Sequence, residues 1–311
     1  MADSLARTIG VLVWVMLLIV SLRYATDFWL LSFVYSFQLH IAAAAAAASL
    51  ACLLFSGFRR GRYLLAISLL LAGHSIVMKR EFLPPMQAQP SESETPFKLL
   101  SFNILGTNFR NGERIAEMIT ASGADVAYVF EAEPIAPYLE TLKATYPYRI
   151  GCGESTPTCD LVLLSRHPIV SRTVSSLSDL RRDRFAIADI ALGGRLIHFA
   201  AAHLSKPYYD DYHSEELEQI GYQIQRIGGT FVLGGDFNSG TIAPDMQRFL
   251  RENQLTATGE EPATWPVIAD GFGIAIDHIF VSAGIDARKL MRIEDNMGSN
   301  HFGLTADLAV R

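Results

Sequence analysis

The sequence predicts an α/β domain carried behind an N-terminal transmembrane helical region. Three observations point there. Half of the 311 residues are hydrophobic, and nearly all of that excess lies before Pro84. Beyond it, short apolar runs alternate with amphipathic ones, the rhythm of strands interleaved with helices. Between the two regions lies a Pro/Ser/Gln/Glu stretch without apolar period. The expected organisation is a membrane anchor over 1–81, a linker over 82–96 and a single domain over 97–311. The last is long enough for one sizeable core.

The anchor reads as three spans, near 5–24, 37–57 and 63–79, since crossing a bilayer takes roughly 20 mainly apolar residues. The first run is read as a span and not as a cleaved signal peptide, because no small-residue cleavage site and polar start follow it. The alanine run Ala42–Ala48 favours helix and close helix packing. Arg59, Arg60 and Arg62 fill the short loop before the third span, which the positive-inside rule assigns to the cytoplasm. Everything after Lys79 is then expected outside, although Lys79 and Arg80 pull the other way.

Charge and cysteines bear on the compartment and the substrate. Residues 97–311 hold 19 basic and 27 acidic residues, a net charge of −8. A domain this acidic is ill suited to tracking a long phosphate backbone by charge alone, unless a bound cation offsets it locally. Cys152 and Cys159 flank a Gly/Ser/Thr/Pro loop. A disulfide is the favoured reading, as suits an oxidising compartment; two free thiols or half a zinc site are the alternatives.

The domain's elements follow in order. Phe97–Asn103 is a strand, Gly112–Ala121 a helix with Ile115, Met118 and Ile119 on one face, and Asp125–Phe130 a buried strand. Leu161–Ser165 is a strand; Phe185–Ala191 and Arg195–Ala202 form a hairpin across Leu192-Gly193-Gly194. Ser214–Ile227 is a helix with Ser214 as N-cap. Thr230–Gly234, Ile274–Val281 and Thr305–Val310 complete the strands.

Polar residues recur where these strands end: Asn103, Glu131, His203, Asp236 with Asn238, Asp277 with His278, and Asn300 with His301. Gly-Gly-Asp236-Phe-Asn238 alone reads equally as an Asx turn. Together the set holds what metal-assisted phosphate-ester hydrolysis needs. A carboxylate can hold Mg²⁺, neutral donors can receive an oxyanion, and a His–Asp pair can take a proton from water. Read singly, His198 and His278 are structural. Tyr208, Tyr209 and Tyr212 are a loop rim or a stacking platform, Arg181, Arg182 and Arg184 a solvated basic face, and Trp265 packing.

In order, Ser-Phe-Asn-Ile-Leu, Asp-Val-Ala-Tyr-Val-Phe-Glu, Leu-Leu-Ser-Arg-His-Pro, His-Leu, Gly-Asp-Phe-Asn-Ser, Thr-Trp-Pro, Ile-Asp-His-Ile-Phe and Ser-Asn-His resemble the endonuclease/exonuclease/phosphatase superfamily over about residues 97–311. That superfamily takes in pancreatic deoxyribonuclease, apurinic endonucleases, neutral sphingomyelinases and inositol polyphosphate phosphatases. The resemblance implies a four-layer sandwich: two β-sheets packed face to face with helices outside. It implies metal ligation by Glu131, with Asn103 near metal and phosphate, and Mg²⁺ as cofactor with Mn²⁺ as the alternative. It further implies phosphate contact by His203, nucleophile orientation and phosphorane stabilisation by Asp236 and Asn238, and a His301 oriented by Asp277. Arg184 corresponds to a phosphate-binding arginine. Ser-Asn-His departs from the usual Ser-Asp-His, so Asn300 stands where a carboxylate near the metal is usual.

The expected protein is a multi-pass bacterial inner-membrane phosphoesterase with a periplasmic domain, held in the lipid bilayer by its N-terminal helices. Its substrate is a phosphate ester of nucleic acid or of a phospholipid or sugar-phosphate head group. The alternative is a catalytically degenerate, membrane-tethered binding or scaffold domain.

Overall fold

A computed structural model of the protein describes residues 2–26, 28–56, 59–84 and 94–311. It begins with α1 (Ala2–Ser21), α2 (Ser32–Ser36), α3 (Gln38–Ser56) and α4 (Gly61–Glu81). Three of its helical segments, Ser4–Tyr24, Gln38–Phe55 and Gly61–Glu81, are long and apolar enough to cross a membrane. They meet through Val13, Leu17, Val20, Ala42, Ala45 and Leu71. Ala42 and Ala45 carry almost no side chain, so neighbouring backbones can approach closely.

The domain then runs β1 (Thr95–Asn103), α5 (Gly112–Ala121), β2 (Val126–Phe130), α6 (Leu139–Leu142), β3 (Tyr148–Ile150), β4 (Leu161–Ser165), β5 (Ile169–Ser175), β6 (Phe185–Leu192) and β7 (Arg195–His203). It continues with α7 (Tyr212–Ile227), β8 (Thr230–Asp236), α8 (Pro244–Glu252), β9 (Thr256–Ala257), β10 (Asp277–Val281), β11 (Ile285–Arg292) and β12 (Leu304–Val310). Two six-stranded mixed sheets form, in the orders β11-β12-β1-β2-β4-β3 and β5-β6-β7-β8-β10-β9.

Three apolar clusters account for the layering. Leu99, Val126 and Tyr128 of the first sheet meet Ala188, Phe199, Val232 and Ile279 of the second. The other faces of the same strands are apolar too. Leu100, Phe102 and Val129 pack on Ile115 and Ile119 of α5. Ala200, Phe231 and Leu233 pack on Leu217 and Ile220 of α7 and on Met246 and Leu250 of α8. Strands buried on both faces read as continuous apolar runs because each alternate side chain finds a layer. The result is the expected four-layer α/β sandwich behind apolar N-terminal helices.

Differences from the expected elements are local. β3, β5, β9 and β11 lie at sheet edges; most of β5 is half-buried or exposed, so its alternation is weak. α7 starts at Tyr212, so Ser214 is not its N-cap; buried His213 already belongs to the helix and anchors it to Asp245 and the Phe237 carbonyl. The middle of the expected linker, 85–93, falls outside the described residues. Its first residue, Phe82, packs under α8 and accepts the Ala257 N–H at 2.7 Å.

The N-terminal helices and the domain share contacts. Arg23 donates to the Ile242 carbonyl at 2.7 Å, Ser32 to Asp245 at 3.1 Å, and Ser36 Oγ accepts from Gly240 N–H at 2.9 Å. Arg251 grips Glu81 at the end of α4. The α2 segment and the end of α4 therefore lie against the domain.

Candidate active site

Two parallel strand pairs set the geometry. β1–α5–β2 and β7–α7–β8 are crossover units, so β1, β2, β7 and β8 end at one edge of the sandwich. Their antiparallel neighbours start at that edge: Asp277 lies opposite Asp236, Leu161 opposite Phe130, Leu304 opposite Ser101 and Phe185 opposite Ala202. Residues ending the first strands thus meet residues just preceding the second. Asn103, Glu131, His203 and Asp236 come from one set, and Asp160, Arg184, Asp277 and His301 from the other.

Asp236 is the hub. Its Oδ2 accepts from Asn103 Nδ2 at 2.9 Å and lies 3.7 Å from His203 Nε2 and 3.8 Å from His301 Nε2. Its Oδ1 accepts the Asn238 N–H at 2.9 Å. Asn103 Nδ2 also donates to Glu131 Oε1 at 3.2 Å, while Glu131 Oε2 accepts the Gly106 N–H at 2.7 Å. His301 Nδ1 donates to Asp277 Oδ2 at 2.9 Å. Asp277 is held in turn by Thr264, whose Oγ1 accepts the Asp277 N–H at 3.2 Å. Glu131 and Asn238 adopt left-handed backbone, φ 52° and 51°. For Glu131 that conformation is strained, a cost often found where a side chain must be aimed.

The electrostatics single out His301 and Asp160. Burial pulls His301 down, but the Asp277 and Asp236 carboxylates outweigh it and raise its pKa to about 9. Burial pushes Asp160 up, but the hydrogen bond and charge of His203 and the Arg184 guanidinium hold it at about 2. His203 Nδ1 donates to Asp160 Oδ1 at 2.7 Å and Arg184 to Oδ2 at 2.5 Å. Beside them Glu133 is pushed up by burial and by the charges of Asp160 and Glu131.

The loop after Asp236 is gripped from within by two more buried histidines. His213 Nε2 donates to the Phe237 carbonyl and its Nδ1 to Asp245; His278 Nε2 donates to the Ser239 carbonyl and its Nδ1 to Glu261. Burial opposes charge on both, yet Asp245 and Glu261 raise their pKa values. From outside, Ser36 of α2 takes the loop's Gly240 N–H. Asn238, at the loop's start, is fixed by its Nδ2 donating to the Leu204 carbonyl at 2.9 Å.

These side chains border a cleft of about 610 Å³ whose wall includes Glu131, Glu133, Asp160, His203 and Asn238, with Arg181, Lys206 and Tyr209 beyond. Crowded carboxylates with a carboxamide are a donor set for a hard divalent cation. Asp236, Asp277 and His301 also offer ligand atoms within 4.8 Å of one another. His301 there already faces a carboxylate with each nitrogen, as a proton-bearing imidazole does. The carboxylate of Glu131, in the cleft wall, offers oxygens to a cation without displacing that proton, and Asn103 Nδ2 holds it in place.

The expected site residues Asn103, Glu131, Arg184, His203, Asp236, Asn238, Asp277 and His301 all lie at this edge. Asn300 is exposed, and among the described residues none of the site's hydrogen bonds includes it. Cys152 and Cys159 are disulfide-bonded, with Cα atoms 4.2 Å apart, in the loop ahead of Asp160. Asp160 escaped the sequence reading. Its signal is an acid immediately before a strand, which matters only once that strand is known to run antiparallel to β2. Thr264 stands in Thr-Trp-Pro, but nothing in the spacing ties it to Asp277. His198 pairs with Asp189 and Trp265 packs on Phe33, both as expected of structural residues.

The sequence profile of the Endonuclease/Exonuclease/phosphatase family matches residues 100–301. A comparison with curated protein sequences finds no match. Among solved structures, an endonuclease/exonuclease/phosphatase family protein from Bacteroides thetaiotaomicron superposes with a TM-score of 0.59 at 14% identity, covering 70% of this chain and 99% of the other. A mannosyl-6-phosphatase from the same organism gives a TM-score of 0.57 at 16% identity, with 68% and 99% covered. Humanized D. rerio TDP2 gives 0.57 at 13%, with 70% and 99% covered. At these identities the likeness is one of fold.

Proposed function

The chain belongs to the endonuclease/exonuclease/phosphatase family, and from that premise we propose that it is a membrane-anchored, Mg²⁺-dependent phosphoesterase. The observation that carries the reading is the gathering of Asn103, Glu131, His203, Asp236, Asn238, Asp277 and His301 at one sandwich edge, beside an open cleft.

Glu131, with Asn103 beside it, would hold the cation, which supplies charge to the leaving oxygen when bound. Asp236 takes a proton from the attacking water. Among the described residues it is the one carboxylate that faces Asn103, His203 and His301 at once. His301, kept protonated by Asp277 and Asp236, donates from Nε2 to a non-bridging phosphate oxygen. His203, fixed through Nδ1 by Asp160, presents Nε2 to the same phosphate. Asn238, locked by Leu204 and Asp236, limits where that phosphate can sit. Donors preset for developing charge need no reorganisation during reaction.

Three apolar helices and a disulfide support a multi-pass membrane protein with its domain opposite the Arg59–Arg60–Arg62 loop, in the bacterial periplasm. A reporter that is active only in the cytoplasm, fused after Arg311, checks this; activity there would reverse the orientation. Substrates are a phospholipid or sugar-phosphate head group or a nucleic-acid diester. The test is a panel of these esters offered to the full chain in vesicles with and without Mg²⁺. Hydrolysis should require Mg²⁺ and fall at least a hundredfold in Glu131→Ala and His301→Ala. Equal background in wild type and both variants on every ester would end the proposal. A second reading, a domain that binds without turnover, rests on Asn300 and requires that no metal binding be seen by calorimetry.

A further inference from the structure

Among the described residues, the two most exposed large apolar side chains are Ile268, at 93%, and Phe272, at 86%. They stand in a single turn, 267–272, inside the otherwise well-packed domain. Apolar tips presented this way commonly mark an interaction surface. The turn is built to present them. Its base is closed by Trp265 and Ile274, which exchange backbone hydrogen bonds at 2.7 and 3.0 Å. Its middle residue, Asp270, is tied to Arg292 at 2.7 Å, and the Arg292 guanidinium lies over the Phe302 ring at 4.1 Å.

The position of the turn identifies what meets it. Asp270, Gly271 and Gly273 share the wall of one hollow, about 590 Å³, with Leu39 and His40 at the start of α3 and Lys79 at the end of α4. Those are the helix ends that abut the domain. Trp265, at the base of the turn, packs edge-on against Phe33 of α2 at 6.0 Å. Phe28 and Leu30, in the segment leading to α2, are exposed as well. Two sets of exposed apolar residues therefore flank the level at which apolar helices end, where an amphipathic protein surface meets lipid head groups.

We propose that the 267–272 turn inserts Ile268 and Phe272 into the lipid interface, as a fourth membrane contact beside the three helices. The active site is coupled to that contact. Thr264, at the foot of the turn, holds the Asp277 N–H. Phe33 also packs on Tyr208 at 5.0 Å, and Tyr208 on Tyr209 of the cleft rim at 4.7 Å. The cleft mouth is thus fastened to the bilayer from two sides, and its substrate is a phosphate ester borne by a membrane lipid. This last step rests on the phosphoesterase reading; the insertion itself does not.

The test uses the full chain with Cys52→Ala, in vesicles of phosphatidylcholine and phosphatidylglycerol. Nitroxide labels are placed at Ile268→Cys, at Phe272→Cys and, as control, at exposed Glu113→Cys on α5. Collisions with oxygen, which concentrates in hydrocarbon, are compared with collisions with a water-soluble nickel chelate. The oxygen-to-nickel ratio should be several-fold higher at 268 and 272 than at 113. Equal ratios, or labels shielded from both reagents as a protein partner would shield them, overturn the insertion. A second measurement uses the double variant Ile268→Ser with Phe272→Ser. It should lose about tenfold in turnover of a phosphate-ester lipid in vesicles and keep wild-type turnover of a soluble chromogenic diester. Equal loss on both, or on neither, overturns the lipid substrate. Absence of all hydrolysis in the wild type counts against the phosphoesterase reading alone, since the label depths are read without turnover.

Discussion

Replacing Asp160 with Asn tests the site where burial and charge are most tightly balanced. The carboxylate accepts from His203 and from Arg184, which is itself buried. Asn keeps the shape and removes the charge, leaving Arg184 without its counter-ion. Asp160 titrates at about 2 instead of 3.8, a difference of roughly 2.5 kcal/mol at about 1.4 kcal/mol per pH unit. Because the folded value is depressed, that stability is present above pH 3.8 and is lost as pH falls through about 2. At pH 7 the variant should melt about 5–10 °C lower, given roughly 2–4 °C per kcal/mol for a domain of this size. Its stability should then change less than that of the wild type between pH 4 and pH 2. Turnover should fall too, roughly 10- to 100-fold, because His203 loses the acceptor that orients its ring. Differential scanning calorimetry across pH and a steady-state assay provide the readouts. An unchanged melting temperature, an unchanged pH profile and turnover within twofold would refute the pairing.

Other consequences are as direct. His301 is raised from 6.5 to about 9, so in metal-free protein it adds roughly 3 kcal/mol that is complete below pH 6.5 and lost as pH rises through about 9. A melting series in chelator should show that loss in the wild type and a flatter profile in His301→Asn. Ser36→Ala strands the buried Gly240 N–H of the Asp236–Ile242 loop, a cost of about 1–3 kcal/mol. It should lower kcat with little change in KM, and Ser36→Thr should restore it; unchanged kcat in the alanine variant would free the loop from α2. Asn300→Asp should lower the Mg²⁺ concentration for half-maximal activity, measured by titration; no shift would mean that this exposed position stands outside the metal site.

Much of this molecule could be read before folding. Runs such as Val126–Phe130, Leu161–Leu164 and Phe231–Leu233 are apolar at consecutive positions, and only strands covered on both faces have a use for that pattern. The apolar helices and the polar ends at Asn103, Glu131, His203 and Asp236 follow from hydropathy and from where those runs stop. β5 and β11 were not legible, because an edge strand buries too little to impose alternation.

What tertiary structure decided is adjacency. Asp160 means nothing in sequence; antiparallel β4 brings it to the mouth of β2 and to His203, 43 residues away. Likewise the Asp277–His301 pair exists because β10 of one sheet and β12 of the other both start at the same edge, opposite the ends of β8 and β1. Ser32, Phe33 and Ser36 read as a helix end between two apolar runs, yet in the folded chain they brace Asp245, Tyr208 and Gly240 more than 170 residues away. Local patterns record whether a residue is buried and in which period. Which buried groups meet depends on strand order and direction, and those are set by how whole sheets and helices close on one another.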